Sequence, residues 1–208
     1  MGRGVVMGGR LLTIPIYKKT AFSLCSGTAI HLTNPNDLGA VQWTPVNVTN
    51  VCTNCQTDPF SVINNAGDIK CNNAGGGGFS VNIYQAVGSL TANTTYEISG
   101  YLKPIAGPVW VIAVISDPNN SSDQFGFYFN CATAASGTLI GNGSGAIGGT
   151  LDCHNLAAAG NSYVQFTFSG HYTSNSSVNT RFALFLVDGD GTGAPTLNQE
   201  FYYYTIGP

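Results

Sequence analysis

From residue 79 onward, apolar and polar residues alternate with the period of two that marks half-buried strands. Val81, Ile83 and Val87 share one face of the stretch 79–87, and Tyr96, Ile98 and Leu102 share one face of 95–103. Phe125, Phe127 and Phe129 line one side of the next strand, with Gln124, Tyr128 and Asn130 opposite. Val164, Phe166 and Phe168 alternate with Gln165, Thr167 and Ser169, and a final strand rich in tyrosine runs from Glu200 to Ile206. Turn-forming clusters separate these runs, among them Asp117-Pro-Asn-Asn-Ser-Ser and Asp188-Gly-Asp-Gly. No stretch carries a 3.6-residue repeat. The pattern predicts an all-β sandwich of jelly-roll kind.

Two strands break the in/out rule. Val109-Trp-Val-Ile-Ala-Val-Ile115 and Phe182-Ala-Leu-Phe-Leu-Val187 are apolar on both faces, so a loop, an arm, a sugar or another subunit must cover the outer one. Residues 132–160 are rich in Gly, Ala and Ser and read as one long loop, and Asn72-Asn-Ala-Gly-Gly-Gly-Gly78 as a second flexible segment. Near the N-terminus Leu12, Ile14 and Ile16 alternate with Thr13, Pro15 and Tyr17 on a glycine-rich lead-in. That is the pattern of a strand available for addition to a neighbour. The expected organisation is an arm over residues 1–20 and one sandwich domain over 21–208.

Charge sharpens that division. The chain has 208 residues, enough for one domain with a full core, and only 8% are charged. Arg3, Arg10, Lys18 and Lys19 fall in the first twenty positions, which hold no acid, while the remainder carries three basic and ten acidic groups. A basic arm on an acidic body suits docking onto a neighbouring copy, or onto nucleic acid, which ranks lower among the expected partners. No apolar run approaches the length of a membrane-spanning helix. Six cysteines imply an oxidising compartment. The expected bridge is Cys131 to Cys153 across the glycine-rich excursion, with the pairing of Cys25, Cys52, Cys55 and Cys71 left open. Six Asn-x-Ser/Thr sequons, at Asn47, Asn93, Asn119, Asn120, Asn142 and Asn175, are candidate glycan sites on an extracellular or cell-surface protein.

Catalytic motifs are sparse. The only two glutamates, Glu97 and Glu200, do not form an evident acid pair. The three histidines match no metalloprotease spacing, and no serine lies in a G-x-S-x-G elbow. Gly143-Ser-Gly-Ala-Ile-Gly148 lacks the βαβ unit a dinucleotide site needs. The expectation is a protein without enzymatic activity and without a cofactor. Asp188, Asp190 and Thr192 are a weak calcium candidate, because the twelfth position is Gln199 rather than a bidentate glutamate. Aromatic rings are the stronger signal: Trp43, Tyr84, Tyr101, Trp110 and Tyr128 are candidates for an interface or for stacking on sugars.

Residues 79–103, with Ser-Val-Asn-Ile-Tyr-Gln and then Thr-Tyr-Glu-Ile-Ser-Gly-Tyr-Leu-Lys, resemble the middle of jelly-roll carbohydrate-binding modules of galactose-binding-like type. Residues 163–206, with Tyr-Val-Gln-Phe-Thr-Phe and Arg-Phe-Ala-Leu-Phe-Leu, resemble their closing strands. The resemblance implies a jelly roll and glycan binding. Together with the arm, three functions are expected in order: a structural subunit of an extracellular filament or surface assembly polymerising by arm exchange, a carbohydrate-binding module or adhesin, and a viral capsid or decoration protein.

Overall fold

The computed structural model describes residues 25–34, 37–71, 81–119, 123–193 and 199–204. The arm residues Leu12, Ile14 and Ile16, the glycine-rich segment 72–78 and Asn120 lie outside the described residues.

Thirteen strands are described: β1 (Thr28–Ala29), β2 (Thr44–Val46), β3 (Val48–Gln56), β4 (Ala66–Cys71), β5 (Asn82–Ala86), β6 (Tyr96–Ala106), β7 (Trp110–Ser116), β8 (Gln124–Asn130), β9 (Ala135–Ile140), β10 (Thr150–Ala158), β11 (Val164–His171), β12 (Arg181–Val187) and β13 (Glu200–Tyr204). Sheet A runs β10-β11-β6-β13-β4-β3, with β1 beside β6, and sheet B runs β2-β5-β12-β7-β8-β9.

The topology is that of a jelly roll. Antiparallel pairs nest around the β7–β8 hairpin: β7 with β8, β6 with β11, β5 with β12, and β4 with β13. The chain is thus one long hairpin rolled so that its four pairs fall alternately into the two sheets. One further strand flanks each edge of this eight-stranded core, β3 and β10 in sheet A and β2 and β9 in sheet B. Among the described residues one contact is parallel, Thr28 with Tyr96 and Ala29 with Glu97, which lays β1 along β6.

The alternation read from the sequence sets the core. Ile98, Leu102, Phe166 and Phe168 from sheet A meet Val111, Ala113, Phe125, Phe127, Phe129, Phe182 and Leu184 from sheet B in one buried cluster. Ring pairs tie the layers: Phe129 lies 5.2 Å from Phe166, and Phe168 lies 5.9 Å from Phe127 and 6.3 Å from Phe125. Such offset and edge-on pairs add about 1 kcal/mol each beyond area burial.

Two expectations are corrected. Residues 132–160 are not one loop but contain β9 and β10. The first lies on an exposed edge and the second is mostly half-buried, so neither needs the strong apolar alternation that betrays a core strand. The bridge from Cys153 goes to Cys25, not to Cys131. Cys131 follows β8 with its thiol in the core, whereas Cys153 sits outward on β10 of the other sheet, so a layer of side chains separates them. Cys52 pairs with Cys55 on β3, and Cys71 and Cys131 are buried free thiols. Burial pushes the Cys131 thiol well above its ordinary pKa.

Candidate functional site

The outer face of sheet A carries the arrangement with the most chemistry. Alternation that buries Leu102 and Tyr203 turns Tyr101, Lys103, Tyr202 and Tyr204 outward, and the register places Tyr204 opposite Tyr101 and Tyr202 opposite Lys103. Phe60, half exposed at 50%, completes a triangle with Tyr101 and Tyr204, at 5.8 and 5.9 Å and both at 73°; the two tyrosines are 5.9 Å apart. The Tyr101 hydroxyl is held above its ordinary pKa by burial and by its neighbour Tyr204, so it stays a neutral donor at physiological pH.

Phe60 reaches this place because the loop 57–65 is tied at both ends. Its organiser is Asp58, a buried carboxylate that accepts hydrogen bonds from the Phe60 and Val62 amides and from Asn65 Nδ2, each at 2.8 Å. From the far edge of sheet A, the β10–β11 turn closes on the loop. Asn161 Nδ2 donates to the Asp58 carbonyl at 2.7 Å and to Ser61 Oγ at 3.2 Å, and the Tyr163 hydroxyl donates to the Thr57 carbonyl at 3.0 Å. Gly160 is required there, since any side chain would strike the Pro59 carbonyl. The loop, which joins β3 to β4, therefore reaches across the outer face of sheet A to the β10–β11 turn at the other edge. Asn54, Ser61, Asn64, Asn161 and Ser162 all hold left-handed backbone with φ of 52–69°. Such strain gathered at one place is a mark of functional loops.

Beside the aromatic triangle lies a depression of about 470 Å³ lined by Gln56, Thr57, Lys103, Asn161, Ser162 and Tyr202. The Lys103 ammonium stands 5.8 Å from the centres of both Tyr163 and Tyr202, a cation–π position that orients its remaining donors. Asp68 underlies Tyr202 on β4; burial and the adjacent Glu200 push its carboxyl up to about 6. Glu200 in turn lies 3.9 Å from Lys70.

A second depression of about 440 Å³ lies on the same face, lined by Cys25, Ser26, Asn93, Thr95, Asp152, Cys153, Ser169 and His171. His171 Nδ1 is 2.9 Å from Asp152 Oδ2, and Thr95 Oγ1 donates to that oxygen at 3.1 Å. Asp152 thus orients the His171 imidazole, with the Ser26, Thr95 and Ser169 hydroxyls lining the same depression.

The other aromatic candidates separate. Trp43 is buried at 3%, edge-on to Phe182 and donating Nε1 to the Asn34 carbonyl, which makes it a core residue and not a sugar-stacking one. Tyr128 does point outward from β8, but on sheet B, where it is 5% exposed and cannot offer a ring face. Trp110 and Tyr84 flank it on the same sheet, half buried, with the Arg181 guanidinium 4.5 Å over the Tyr84 ring. Only Tyr101 joins the sheet A site. Phe60, Lys103, Asn161, Tyr202 and Tyr204 were not singled out by sequence. The Asp58-Pro-Phe60 start of a turn was the one local signal, and nothing local tells which strand that turn will reach.

The Asp188–Thr192 segment is a turn. Gly189 N donates to Thr192 Oγ1 at 2.6 Å, Thr192 Oγ1 donates to the Gly189 carbonyl at 2.8 Å, and Asp190 Oδ1 accepts from the Thr138 amide at 2.6 Å. Its oxygens thus serve turn closure and strand β9, and among the described residues no group of three or more His, Cys, Asp or Glu converges as metal ligands.

Comparison with known proteins adds a distant likeness. No family model and no curated protein matches the chain. Among solved structures, a chain of an agarase, AgWH50C, superposes with a TM-score of 0.44 at 9% identity, over 88% of this chain and 24% of that one. The present chain thus spans about a quarter of the length of that structure. No helix among the described residues is long and apolar enough to cross a membrane.

Proposed function

We propose that this chain is an extracellular, non-catalytic glycan-binding jelly roll whose ligand lies across the outer face of sheet A. The observation that carries the reading is the half-exposed Phe60 ring, held by a strained, doubly anchored loop against Tyr101 and Tyr204 beside a polar depression. A sugar has one face of C–H groups and a rim of hydroxyls. The aromatic triangle matches the face, and Lys103, Gln56, Ser162 and the Tyr202 hydroxyl match the rim. Two disulfides accord with an oxidising, extracellular setting.

The test is a glycan array followed by titration of the best soluble oligosaccharide. Phe60→Ala is expected to weaken binding at least about tenfold, which is about 1.4 kcal/mol. Tyr84→Ala on the other sheet is expected to leave it unchanged. Absence of any glycan binding, or equal binding by Phe60→Ala, refutes the reading.

The filament reading rests on residues 1–20, outside the described residues, and has the alternation of Leu12, Ile14 and Ile16 as its support. Deleting residues 1–20 and imaging the particles tests it: assemblies that survive the deletion exclude arm exchange.

A further inference from the structure

The sequons gain meaning from where the roll places them. Asn93 lies between β5 and β6, Asn119 between β7 and β8, Asn142 between β9 and β10, and Asn175 between β11 and β12. In a jelly roll of this topology the first, second and fourth of these connections share one end, and β9, antiparallel to β8, brings the third to the same end. Hydrogen bonds join the four loops. The Asn93 amide donates to the Tyr172 carbonyl at 2.7 Å, the Ala92 amide to Asn175 Oδ1 at 2.8 Å, the Ser177 amide to Asp117 Oδ2 at 2.8 Å and the Ile147 amide to Asp123 Oδ1 at 2.9 Å. All four asparagines are exposed. Asn47, between β2 and β3, is exposed as well but sits at the opposite end.

We infer that this end of the sandwich is a glycan cap, N-glycosylated on Asn93, Asn119, Asn142 and Asn175. The donor would be a lipid-linked oligosaccharide pyrophosphate. The bond from the sugar C1 to the pyrophosphate oxygen breaks, a bond from C1 to asparagine Nδ2 forms, Nδ2 loses one proton, and the lipid pyrophosphate leaves. The modification keeps the amide oxygen, and at Asn175 and Asn142 it is the oxygen that the fold uses, whereas the Asn119 side chain donates to Asp117 and keeps one N–H after modification. Asn175 Oδ1 accepts from Ala92, and Asn142 Oδ1 accepts from the Ser144 amide at 3.1 Å. A glycan on either residue therefore leaves its loop contact intact. Asn93 also lines the depression that holds His171 and Asp152, so its glycan stands at that mouth. Four glycans at one end would close it to partners and leave the outer face of sheet A as the approach to the molecule.

The experiment is peptide mass spectrometry of the full protein recovered from its own organism, before and after peptide N-glycosidase, which converts each formerly glycosylated asparagine to aspartate. Conversion at most of the four cap asparagines is expected. Conversion at Asn47 alone, or at none or a minority of the four, overturns the inference. A second reading keeps it independent of glycan binding by the protein. With Asn93→Gln, Asn119→Gln, Asn142→Gln and Asn175→Gln combined, the glycosidase-sensitive mass is expected to fall to what Asn47 and Asn120 carry. An unchanged glycan mass in that variant would equally overturn it.

Discussion

Between β6 and β11, the outward rungs of sheet A read Glu97 with Ser169, Ser99 with Thr167, and Tyr101 with Gln165. Between β7 and β12, those of sheet B read Trp110 with Val187, Ile112 with Phe185, and Val114 with Ala183. Both sets stand on the solvent side of equivalent layers, yet Ile112, Val114, Ala183 and Val187 are 2% exposed or less. The two strands that are apolar on both faces are neighbours at the centre of sheet B, so their outer residues merge into one second cluster with Tyr128. The turn after β12 contributes to its cover: Tyr128 donates to the Thr192 carbonyl at 3.5 Å, and Asp190 holds β9. On sheet A the polar Thr167 and Ser169 are also covered, at 1% exposed each, but Glu97, Ser99, Tyr101 and Gln165 are only half-buried, and the loop 57–65 frames a half-open aromatic site there. The difference teaches that an apolar outer face is a demand for burial, whereas a polar one leaves its covering loop available for binding.

The comparison is broken most severely by a charge on sheet B. Val114→Asp places an unpaired carboxylate in a sealed apolar layer and is expected to cost about 4 kcal/mol or more. Gln165→Glu on sheet A is expected to change stability by no more than about 0.5 kcal/mol. Urea denaturation of the two variants measures the contrast, and equal costs would mean that the faces do not differ.

Next come the disulfides, both on sheet A. Cys25–Cys153 closes a separation of 128 residues and Cys52–Cys55 one of three. Loop-closure entropy ranks the first above the second, and the expected losses are about 3–4 kcal/mol and no more than about 2 kcal/mol. Thermal melts of the paired Cys→Ser variants should preserve that order.

Asp58→Ala strips three hydrogen bonds to a carboxylate from the loop and leaves their part-buried donors without it. It is expected to cost about 2–3 kcal/mol by chemical denaturation and to abolish glycan binding together with Phe60's position. Full binding in a folded Asp58→Ala would show that the loop does not build the site.

The smallest effect is a pH slope. Asp68 has its folded pKa raised to about 6 from an ordinary 3.8, because burial and Glu200 disfavour its charge. The folded state therefore holds a proton that the unfolded chain has lost between those values. Stability is expected to fall as pH rises from about 4 to 6, on the order of 1–2 kcal/mol, and then to level. Asp68→Asn should flatten the slope, as read from melting temperature against pH.

Much of this was legible in residue order. The facing of Phe125, Phe127 and Phe129, of Phe166 and Phe168, and the anomaly of the doubly apolar strands all follow from a period of two, because a strand's side chains alternate whatever it pairs with. The turns bearing the sequons were legible too, since Asn, Asp, Ser and Gly favour the backbone that turns require. Their gathering at one end was not, because it depends on the nesting of strand pairs. The partner of Cys153 was likewise undecided by order: proximity along the chain favoured Cys131, but the two residues stand on different sides of the core. The aromatic site is the clearest case. Phe60, Tyr101, Asn161 and Tyr204 come from four separate parts of the chain, and of these only Tyr101 stood out in the residue order, as an outward ring on a strand. The residue pattern by itself determined the all-β class, the core faces and the two strands that must be covered, since these are local consequences of pleat and hydrophobicity. Only the tertiary structure decided which rings meet, which cysteines bond and which face stays open, because those outcomes depend on long-range register that no local signal encodes.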